Sequence, residues 1–220
     1  MSEIVGRSDL GIDLHTAAIH RDNLPQIRAD LKNLKLNHLA RAFAAPVILH
    51  SAAPEGSLRH AAASDSVPVM VFEAGEALRF DEIAIRVAVR GILNVMRDIG
   101  MLAKGKAKTP KPSVLLRSST WVRAPVSGIL RAQAKLGDMV SKGGILGYVS
   151  EPASQKDEVV EAISDGVIIG RTNIPLVHEG EALFHIGRST QTELLEEQID
   201  SLNDEDTLST PELIEEPIIV

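Results

Sequence analysis

The segment that ends at His15 combines an apolar strand with residue types that bind metal ions. Val5, Leu10, Ile12 and Leu14 belong to a short apolar run over residues 5–14, which is typical of a buried strand. His15 follows at its C-terminal edge, where the sheets of α/β proteins bind ligands and metals. Asp13 lies two residues earlier and so on the same side of the strand, where its carboxylate could fix the tautomer of the imidazole. The alternative interpretation of His15 is a solvated histidine at a strand end.

A second apolar run brings a carboxylate to a comparable position. Residues 67–72 predict a buried strand, and Glu73 follows at its C-terminal end. Because both predicted strands end in a polar residue at the same kind of edge, His15 and Glu73 could converge in the fold. The alternative interpretation of Glu73 is an exposed carboxylate. Five further histidines have no ligand-type spacing and are predicted to be ordinary: His38, His50, His60, His178 and His185.

The spacing of apolar residues and the positions of Pro, Asp and Asn predict the secondary-structure elements that position these residues. Asp22-Asn-Leu-Pro25 predicts the start of a helix, with Pro in its first turn. Apolar residues at roughly helical spacing predict two helices over residues 26–45, broken near Asn37. The clearest helix is predicted over residues 81–101, which follow a helical period. Shorter elements are predicted as a strand over residues 46–50 and a helix over residues 56–63.

The composition changes after residue 103. Residues 104–114 are basic and contain Pro and Gly, which is typical of a linker; a phosphate-binding patch is the alternative. Residues 115–188 switch to short β-type runs with Gly turns, arranged as two similar halves. Residues 189–220 hold ten of the 30 acidic residues and no Lys or Arg. This predicts a disordered tail, with a partner-docking or autoinhibitory segment as the alternative.

Several classes of function are disfavoured by composition. Aromatic residues make up only 3% of the chain, which argues against the stacking platforms of single-stranded nucleic-acid binding. Without cysteine there is neither a disulfide framework nor a thiolate zinc site. No apolar run approaches the ~18 residues of a membrane span, and no signal peptide is visible. We therefore expect a soluble, cytoplasmic protein.

Two motifs and the β-rich region together resemble one protein family. The run from Asp13-Leu-His15 to Arg28 resembles the third metal-ligand motif of the succinylglutamate desuccinylase/aspartoacylase family, which are zinc-dependent amidohydrolases with a carboxypeptidase-like fold. Val69-Met-Val-Phe-Glu-Ala-Gly75 is similar to the family's strand with a catalytic glutamate in a Glu-x-Gly pattern. The repeat in residues 115–188 resembles the biotinyl/lipoyl-like β-sandwich at the family's C-terminus.

The resemblance implies roles for individual residues. His15 would be a zinc ligand supported by Asp13, and Glu73 would act on the water that attacks the amide. Arg21, Asn23 and Arg28 closely follow the metal motif, and any of them could contact an acyl or carboxylate group of the substrate. The alternative interpretation of the two arginines is that they are solvated on a helix face. The family's first two zinc ligands form a His-x-x-Glu motif, which has no counterpart before His15. We therefore expect this chain to be the C-terminal portion of a longer, N-terminally truncated enzyme.

The resemblance implies an α/β fold with two domains. Residues 1–103 would be part of a carboxypeptidase-like catalytic domain, and residues 104–114 a linker. Residues 115–188 would form a β-sandwich domain, and residues 189–220 the acidic tail. The predicted function is a zinc-dependent deacylase that cleaves the amide bond of an N-acyl amino acid or similar small amide. Nucleic acid and membrane are not expected as partners, and homo-oligomerisation stays open. The alternative is a non-catalytic binding or interaction protein derived from such an enzyme.

Overall fold

The computed structural model describes residues 3–103, 112–152 and 156–189, and within these ranges it has three α-helices and thirteen β-strands. The helices are α1 (Leu34–Phe43), α2 (Leu58–Ser64) and α3 (Glu82–Asp98). The strands are β1 (Gly11–His15), β2 (Arg21–Ala29), β3 (Val47–His50), β4 (Val69–Gly75), β5 (Val114–Leu116), β6 (Ser118–Arg123), β7 (Gly128–Ala132), β8 (Met139–Val140), β9 (Ile145–Glu151), β10 (Lys156–Glu161), β11 (Gly166–Thr172), β12 (Leu176–Val177) and β13 (Ala182–Arg188).

The first half of the chain forms one end of a mixed sheet. β1 pairs with β4 in parallel, β4 pairs with β2 in antiparallel orientation, and β2 pairs with β3 in parallel. Alternate apolar residues of these strands, among them Ile27, Ile48 and Phe72, form a core with residues of α1 and α3. Burial of this apolar surface, at about 25 cal/mol per Å², holds the two helices on the sheet.

Strand β2 corrects a prediction from the sequence. Residues 22–25 do not begin a helix, because they lie inside β2, and residues 26–45 contain one helix instead of two. The strand pairs on both edges and has five consecutive buried residues, so its sequence lacks the alternation that identifies a half-buried strand. Pro25 has no N–H to donate, and it lies at an irregularity in the pairing with β4 between Asn23 and Gln26.

The bounds of two other predicted strands also change. The strand expected over residues 5–14 begins only at Gly11, because Val5–Arg7 form a short 3-10 helix. The strand expected over residues 67–72 begins at Val69 and runs to Gly75, so that Glu73 lies inside β4 and not beyond its end. The helices predicted over residues 56–63 and 81–101 correspond to α2 and α3, and the latter begins after a cap by Asp81.

The second half of the chain extends the same sheet and adds another. β11, β13 and β6 continue the sheet beyond β2 through antiparallel pairs. β5 pairs with β3, and β8 pairs with β11. β10, β9, β7 and β12 form a separate antiparallel sheet. The two sheets share an apolar core in which Leu146 and Val149 join Ile168, Phe184 and Ile186.

Both halves of the chain meet at β2. One edge of β2 pairs with β4, while the other pairs with β11 at residues 21–23 and with β3 at residues 26–29. Gln26 lies where these two partners diverge and is fully buried. Its Nε2 donates to the carbonyl oxygens of Leu24 and Ile169, each at 3.2 Å. The side chain thus supplies hydrogen bonds to backbone groups at the point where the strands separate.

Two predicted segments lie wholly or mostly outside the described residues: the linker, of which residues 104–111 are not described, and the tail from residue 190. The domain boundaries stay predictions. Within the described ranges, no helix has the length and apolar character needed to span a membrane.

A close contact between α1 and α3 gives a test of the fold. A Cβ at Gly91 would come within 2.2–2.4 Å of three ring atoms of Phe43. We expect Gly91→Ala to lower the free energy of unfolding by roughly 1–3 kcal/mol through overpacking, although Ala favours the helix by ~1 kcal/mol. The double variant Gly91→Ala/Phe43→Leu should recover part of this loss. Thermal melts would reveal it, and a Gly91→Ala variant as stable as the parent would contradict the packing described.

Candidate functional site

One face of the long sheet carries a row of polar side chains, and we call it the polar face. Residues that pair across neighbouring strands point to the same side, and the register aligns His15 with Glu73, and Glu73 with Gln26. The same rule extends the row across β11, β13 and β6. The members of the polar face that we discuss are Asp13, His15, Arg21, Asn23, Gln26, Arg28, Glu73, Trp121 and His185.

Asp13 and His15 form a pair on β1. The Nε2 atom of His15 lies 3.0 Å from Oδ2 of Asp13, and the His15 side chain is 50% exposed. The two side chains meet because residues two apart in a strand point to the same side. The contact occupies one ring nitrogen and leaves Nδ1 for another partner, which is the arrangement by which a carboxylate orients a metal-binding imidazole.

Glu73 is held from β2 by two donors. Asn23 Nδ2 donates to Glu73 Oε2 at 3.0 Å, and the Arg28 guanidinium lies 2.9 Å from the same oxygen. The Glu73 side chain is only 16% exposed. Because both contacts engage Oε2, Oε1 is the oxygen that can take a proton from a water molecule on the polar face. Three of the residues expected from the sequence, Asn23, Arg28 and Glu73, are therefore in direct contact.

A bulge in β2 explains how Asn23 and Arg28 reach one carboxylate. Residues five apart in a regular strand point to opposite sides, because the side-chain period is two. Asn23 pairs with Gly75 and Gln26 pairs with Glu73, so β2 has one more residue than β4 in this interval. The extra residue reverses the alternation, which brings Asn23 to the same side as Arg28.

Arg21 lies apart from this contact. Its guanidinium carbon is 5.2 Å from the ring centroid of Trp121, a cation–π distance. The Trp121 ring stacks on the imidazole of His185 with centroids 4.4 Å apart and an interplanar angle of 8°. Arg21 therefore lies on the polar face, beside an aromatic pair from the second half of the chain.

His185 was not expected at the site from its sequence spacing. It pairs with Gly170 on β11, which in turn pairs with Asn23 on β2. A Cβ at Gly170 would lie 2.7 Å from Asn23 Oδ1 and 3.3 Å from the His185 Cβ, so glycine lets these two side chains approach each other. Burial, followed by the charge of Arg28, lowers the pKa of His185 to about 4. The ring is therefore neutral at neutral pH.

Arg59 is a second residue that spacing did not reveal. Its guanidinium donates from α2 to the carbonyl oxygen of Ser51 at 3.1 Å. Burial is the main cause that lowers its pKa, and the positive charge of Arg28 is the next. Two guanidinium groups thus lie close enough to repel each other, beside the carboxylates of Glu73 and Asp13. A single arginine on a seven-residue helix carries no sequence pattern that would have indicated this position.

The rim of the polar face is tied by hydrogen bonds between three loops. The backbone N–H of His20 donates to Glu76 Oε1 at 3.0 Å, and Asn173 Nδ2 donates to Glu76 Oε2 at 3.1 Å. The backbone N–H of Asn173 donates to the carbonyl of His20 at 2.7 Å. The bond from Asn173 is the main cause that lowers the pKa of Glu76. These bonds connect the turn before β2 to the ends of β4 and β11.

The donor set does not fit a complete zinc site. A catalytic zinc ion needs three protein ligands and one open position. Within the ranges that the structure describes, no group of three or more His, Cys, Asp or Glu side chains could hold a metal ion. His15, with Asp13 behind it, supplies one imidazole.

Comparison with a family model supports the resemblance of the first half. Residues 2–99 match the model of the succinylglutamate desuccinylase/aspartoacylase catalytic domain. The family resemblance predicted from the two motifs is confirmed for this part of the chain. No curated protein matches the sequence.

Solved structures share the fold over most of the chain. A succinylglutamate desuccinylase/aspartoacylase from Rhodobacter sphaeroides is 20% identical with a TM-score of 0.73, covering 86% of this chain and 61% of that one. The apo ectoine utilization protein EutE from Ruegeria pomeroyi is 22% identical with a TM-score of 0.76, covering 84% and 62%. A succinylglutamate desuccinylase from a Silicibacter species is 24% identical with a TM-score of 0.72, covering 85% and 60%.

These likenesses confirm the mixed α/β fold that the sequence predicted. The chain spans about three fifths of the length of these structures.

The buried imidazole predicts a pH dependence of stability. His185 has a folded-state pKa of about 4, below its ordinary value of 6.5, so the unfolded chain binds the proton more tightly. The neutral His185 therefore makes its full contribution to the free energy of unfolding above pH 6.5, and this contribution is lost as the pH falls towards 4. We expect the parent to lose up to about 3 kcal/mol more than His185→Phe across this window. Urea unfolding at several pH values tests this, and parallel curves for the two proteins would contradict it.

Proposed function

We propose, on the premise that residues 2–99 match the model of the succinylglutamate desuccinylase/aspartoacylase catalytic domain, that the chain is part of a hydrolase of N-acyl amino acids or similar small amides. The observation that carries the proposal is the Glu73 carboxylate, held by Asn23 and Arg28 on a sheet face that also carries His15 on the adjacent strand. Because the chain spans about three fifths of its structural relatives, the activity of the whole protein is a proposal.

Glu73 would move the proton in this reaction. Hydrolysis of an amide needs a base that takes a proton from the attacking water and an acid that delivers one to the leaving amine. The contacts of Asn23 and Arg28 with Oε2 hold the carboxylate in one orientation, and Oε1 is left to face a water molecule. A carboxylate in this orientation can take the proton and pass it to the amine nitrogen in turn.

Arg28 and its neighbours would bind the substrate. A guanidinium pairs best with a planar carboxylate. The Nε atom of Arg28 is buried without a hydrogen-bond partner among the described residues. A carboxylate on the substrate would therefore compete with Glu73 for Arg28. Asn23, on β2, would orient the same substrate carboxylate. Arg21 would contribute a positive charge beside Trp121. Arg59 adds a second positive charge near Arg28.

We also propose that the enzyme depends on zinc and that the described part of this chain supplies one of the zinc ligands. His15 would contribute one ligand, because Asp13 holds one ring nitrogen and the other is left to bind a metal ion. The remaining ligands would have to come from outside the described residues, such as a segment or chain that completes the site.

We also propose that residues 115–188 act as a β-sandwich domain beside the catalytic domain. The shared core of the two sheets in this region supports this, since Phe184, Leu183 and Leu146 are fully buried between strands of both. The pairing of β11 with β2 would bring this domain against the polar face.

The second candidate is a non-catalytic binding protein that keeps the polar face without the chemistry. The observation that favours it is the single imidazole in place of a complete donor set within the described ranges. The candidates differ in turnover: the enzyme hydrolyses N-acyl amino acids once a complete metal site is present, whereas the binding protein binds them without hydrolysis.

Replacement of Glu73 tests its proposed role. In enzyme with a complete metal site, Glu73→Gln should lower kcat by at least ~100-fold, because an amide cannot take the proton. The near-equal size of Gln should preserve the fold and the contact with Asn23. Glu158→Gln, on the exposed strand β10, serves as a matched control and should keep normal turnover. Steady-state hydrolysis of N-acyl amino acids measures both, and near-normal kcat in Glu73→Gln would remove Glu73 from the mechanism.

Zinc content tests whether the described part of this chain supplies only one of the zinc ligands. We expect the isolated 220-residue chain to hold far less than one zinc ion per chain after dialysis, because one imidazole does not make a three-ligand site. Elemental analysis of the parent and of His15→Ala gives the measurement. Near-stoichiometric zinc in the parent, with all ligands within residues 1–220, would contradict this expectation.

A further inference from the structure

A cavity of about 230 Å³ lies at the rim of the polar face. The turn before β2 lines it from the first half of the chain, and the segments that join β11, β12 and β13 line it from the second half. Pockets that enclose a drug-sized ligand measure roughly 300–1,000 Å³. A cavity of this volume therefore fits one group of a ligand and not a whole ligand of that size.

Polar side chains of the lining are already engaged within the protein. The Thr172 hydroxyl donates to the carbonyl oxygen of His20 at 3.3 Å, and Nδ1 of His20 lies 3.9 Å from Glu76 Oε1. The Glu181 carboxylate accepts a hydrogen bond from the backbone N–H of His178 at 3.0 Å. Because these groups have partners inside the protein, they do not call for a polar ligand in the cavity.

The apolar side chains of the lining are less well covered. Ile19 and Leu176 are 56% and 55% exposed, and Ile174 lines the same cavity. Leu176 pairs across strands with Ile129, which is itself 38% exposed and extends the apolar surface. Large apolar side chains that are exposed together inside a polar rim mark binding sites. The lining therefore favours an uncharged hydrocarbon group, because its burial removes apolar surface from water.

The cavity adjoins the candidate site along β2. Arg21 and Thr172 both line the cavity, and they pair across β2 and β11 on the side of the sheet that carries the polar face. Arg21 is two residues from Asn23, or roughly 7 Å along the strand, and Asn23 contacts Glu73. In the register of β2 with β4, Arg28 lies on the other side of Glu73. A substrate with its carboxylate at Arg28 would thus extend its opposite end past Glu73 toward the cavity.

We propose that the cavity binds the hydrocarbon chain of the substrate's acyl group, so that the protein prefers longer uncharged acyl chains, such as hexanoyl, to acetyl and succinyl. This inference rests on the proposed function, because it names the substrate class of the same site. An acetyl group has a single methyl beyond its carbonyl and is too short to reach the cavity from Glu73. A succinyl group would bring a second carboxylate against the apolar side chains of Ile19 and Leu176.

Binding of three N-acylglycines to the 220-residue chain provides the test, and it needs neither zinc nor turnover. Isothermal titration calorimetry gives the Kd of N-hexanoylglycine, N-acetylglycine and N-succinylglycine under the same conditions. A fully buried methylene raises affinity about fourfold, and hexanoyl has four more methylenes than acetyl. Because the lining stays partly exposed, we expect N-hexanoylglycine to bind at least ~10-fold more tightly than N-acetylglycine. N-succinylglycine should bind no more tightly than N-acetylglycine.

Substitutions separate the cavity from nonspecific hydrophobic binding. Leu176→Gln has a similar volume but places an amide against the acyl chain, so the preference for hexanoyl over acetyl should fall below about threefold. Leu34→Gln, at an 83% exposed position where α1 begins, is the matched control and should keep the preference of the parent. If Leu176→Gln fails to fold, Ile19→Gln, in the exposed turn before β2, takes its place.

The outcomes separate this inference from the proposed function. No binding of N-hexanoylglycine, a parent without preference for it, tighter binding of N-succinylglycine, or equal losses in Leu176→Gln and Leu34→Gln would each overturn the inference. A preference that is lost only in Leu176→Gln supports it. If that pattern is found but the enzyme with a complete metal site hydrolyses no N-acyl amino acid, the proposed function fails and the acyl-chain site stands. Hydrolysis of N-acetylglycine without any chain-length preference in binding removes the inference alone.

Discussion

The one-residue bulge in β2 between Asn23 and Gln26 is the constraint on which the site depends. It reverses the alternation of side chains within a single strand, so that Asn23 and Arg28 reach the same oxygen of Glu73. Pro25 suits this interval because a bulge leaves backbone groups outside the ladder. Without the extra residue, Asn23 would point toward the apolar core under α1 and α3. The geometry of the carboxylate therefore depends on local backbone irregularity as much as on residue identity.

The same strand explains which parts of the fold the sequence could predict. α3 was found because its apolar residues follow a helical period after the cap at Asp81, and β4 was found because it contains a short continuous apolar run. β2 was taken for a helix, because a strand buried on both faces shows no alternation and its Pro resembles a helix start. Alternation of apolar and polar residues identifies a strand that is buried on one face, whereas β2 is buried on both faces. Its partners on both edges come from distant parts of the chain, which local pattern cannot reveal.

The candidate site shows the same division. His15 and Glu73 were predicted as candidates from strand ends and from family resemblance, and the parallel register of β1 and β4 makes them neighbours. His185 and Arg59 were missed, because their relevance comes only from contacts across the sheet or from a short helix. No local pattern separates a buried histidine beside a glycine from an ordinary core histidine. Such residues become visible when burial, pairing and unpartnered atoms are known.

The shared edge of β2 also bears on how the chain could be divided. β11 covers the backbone of residues 21–23, and the core of Leu24, Val47 and Leu49 includes Val167 and Ile169 from the second half. A fragment that ends near residue 103 would leave this edge without a partner and this apolar patch in water. Open strand edges of this kind recruit strands from other molecules. The first half is thus poorly suited to fold as an independent domain, and the excised fragment would self-associate.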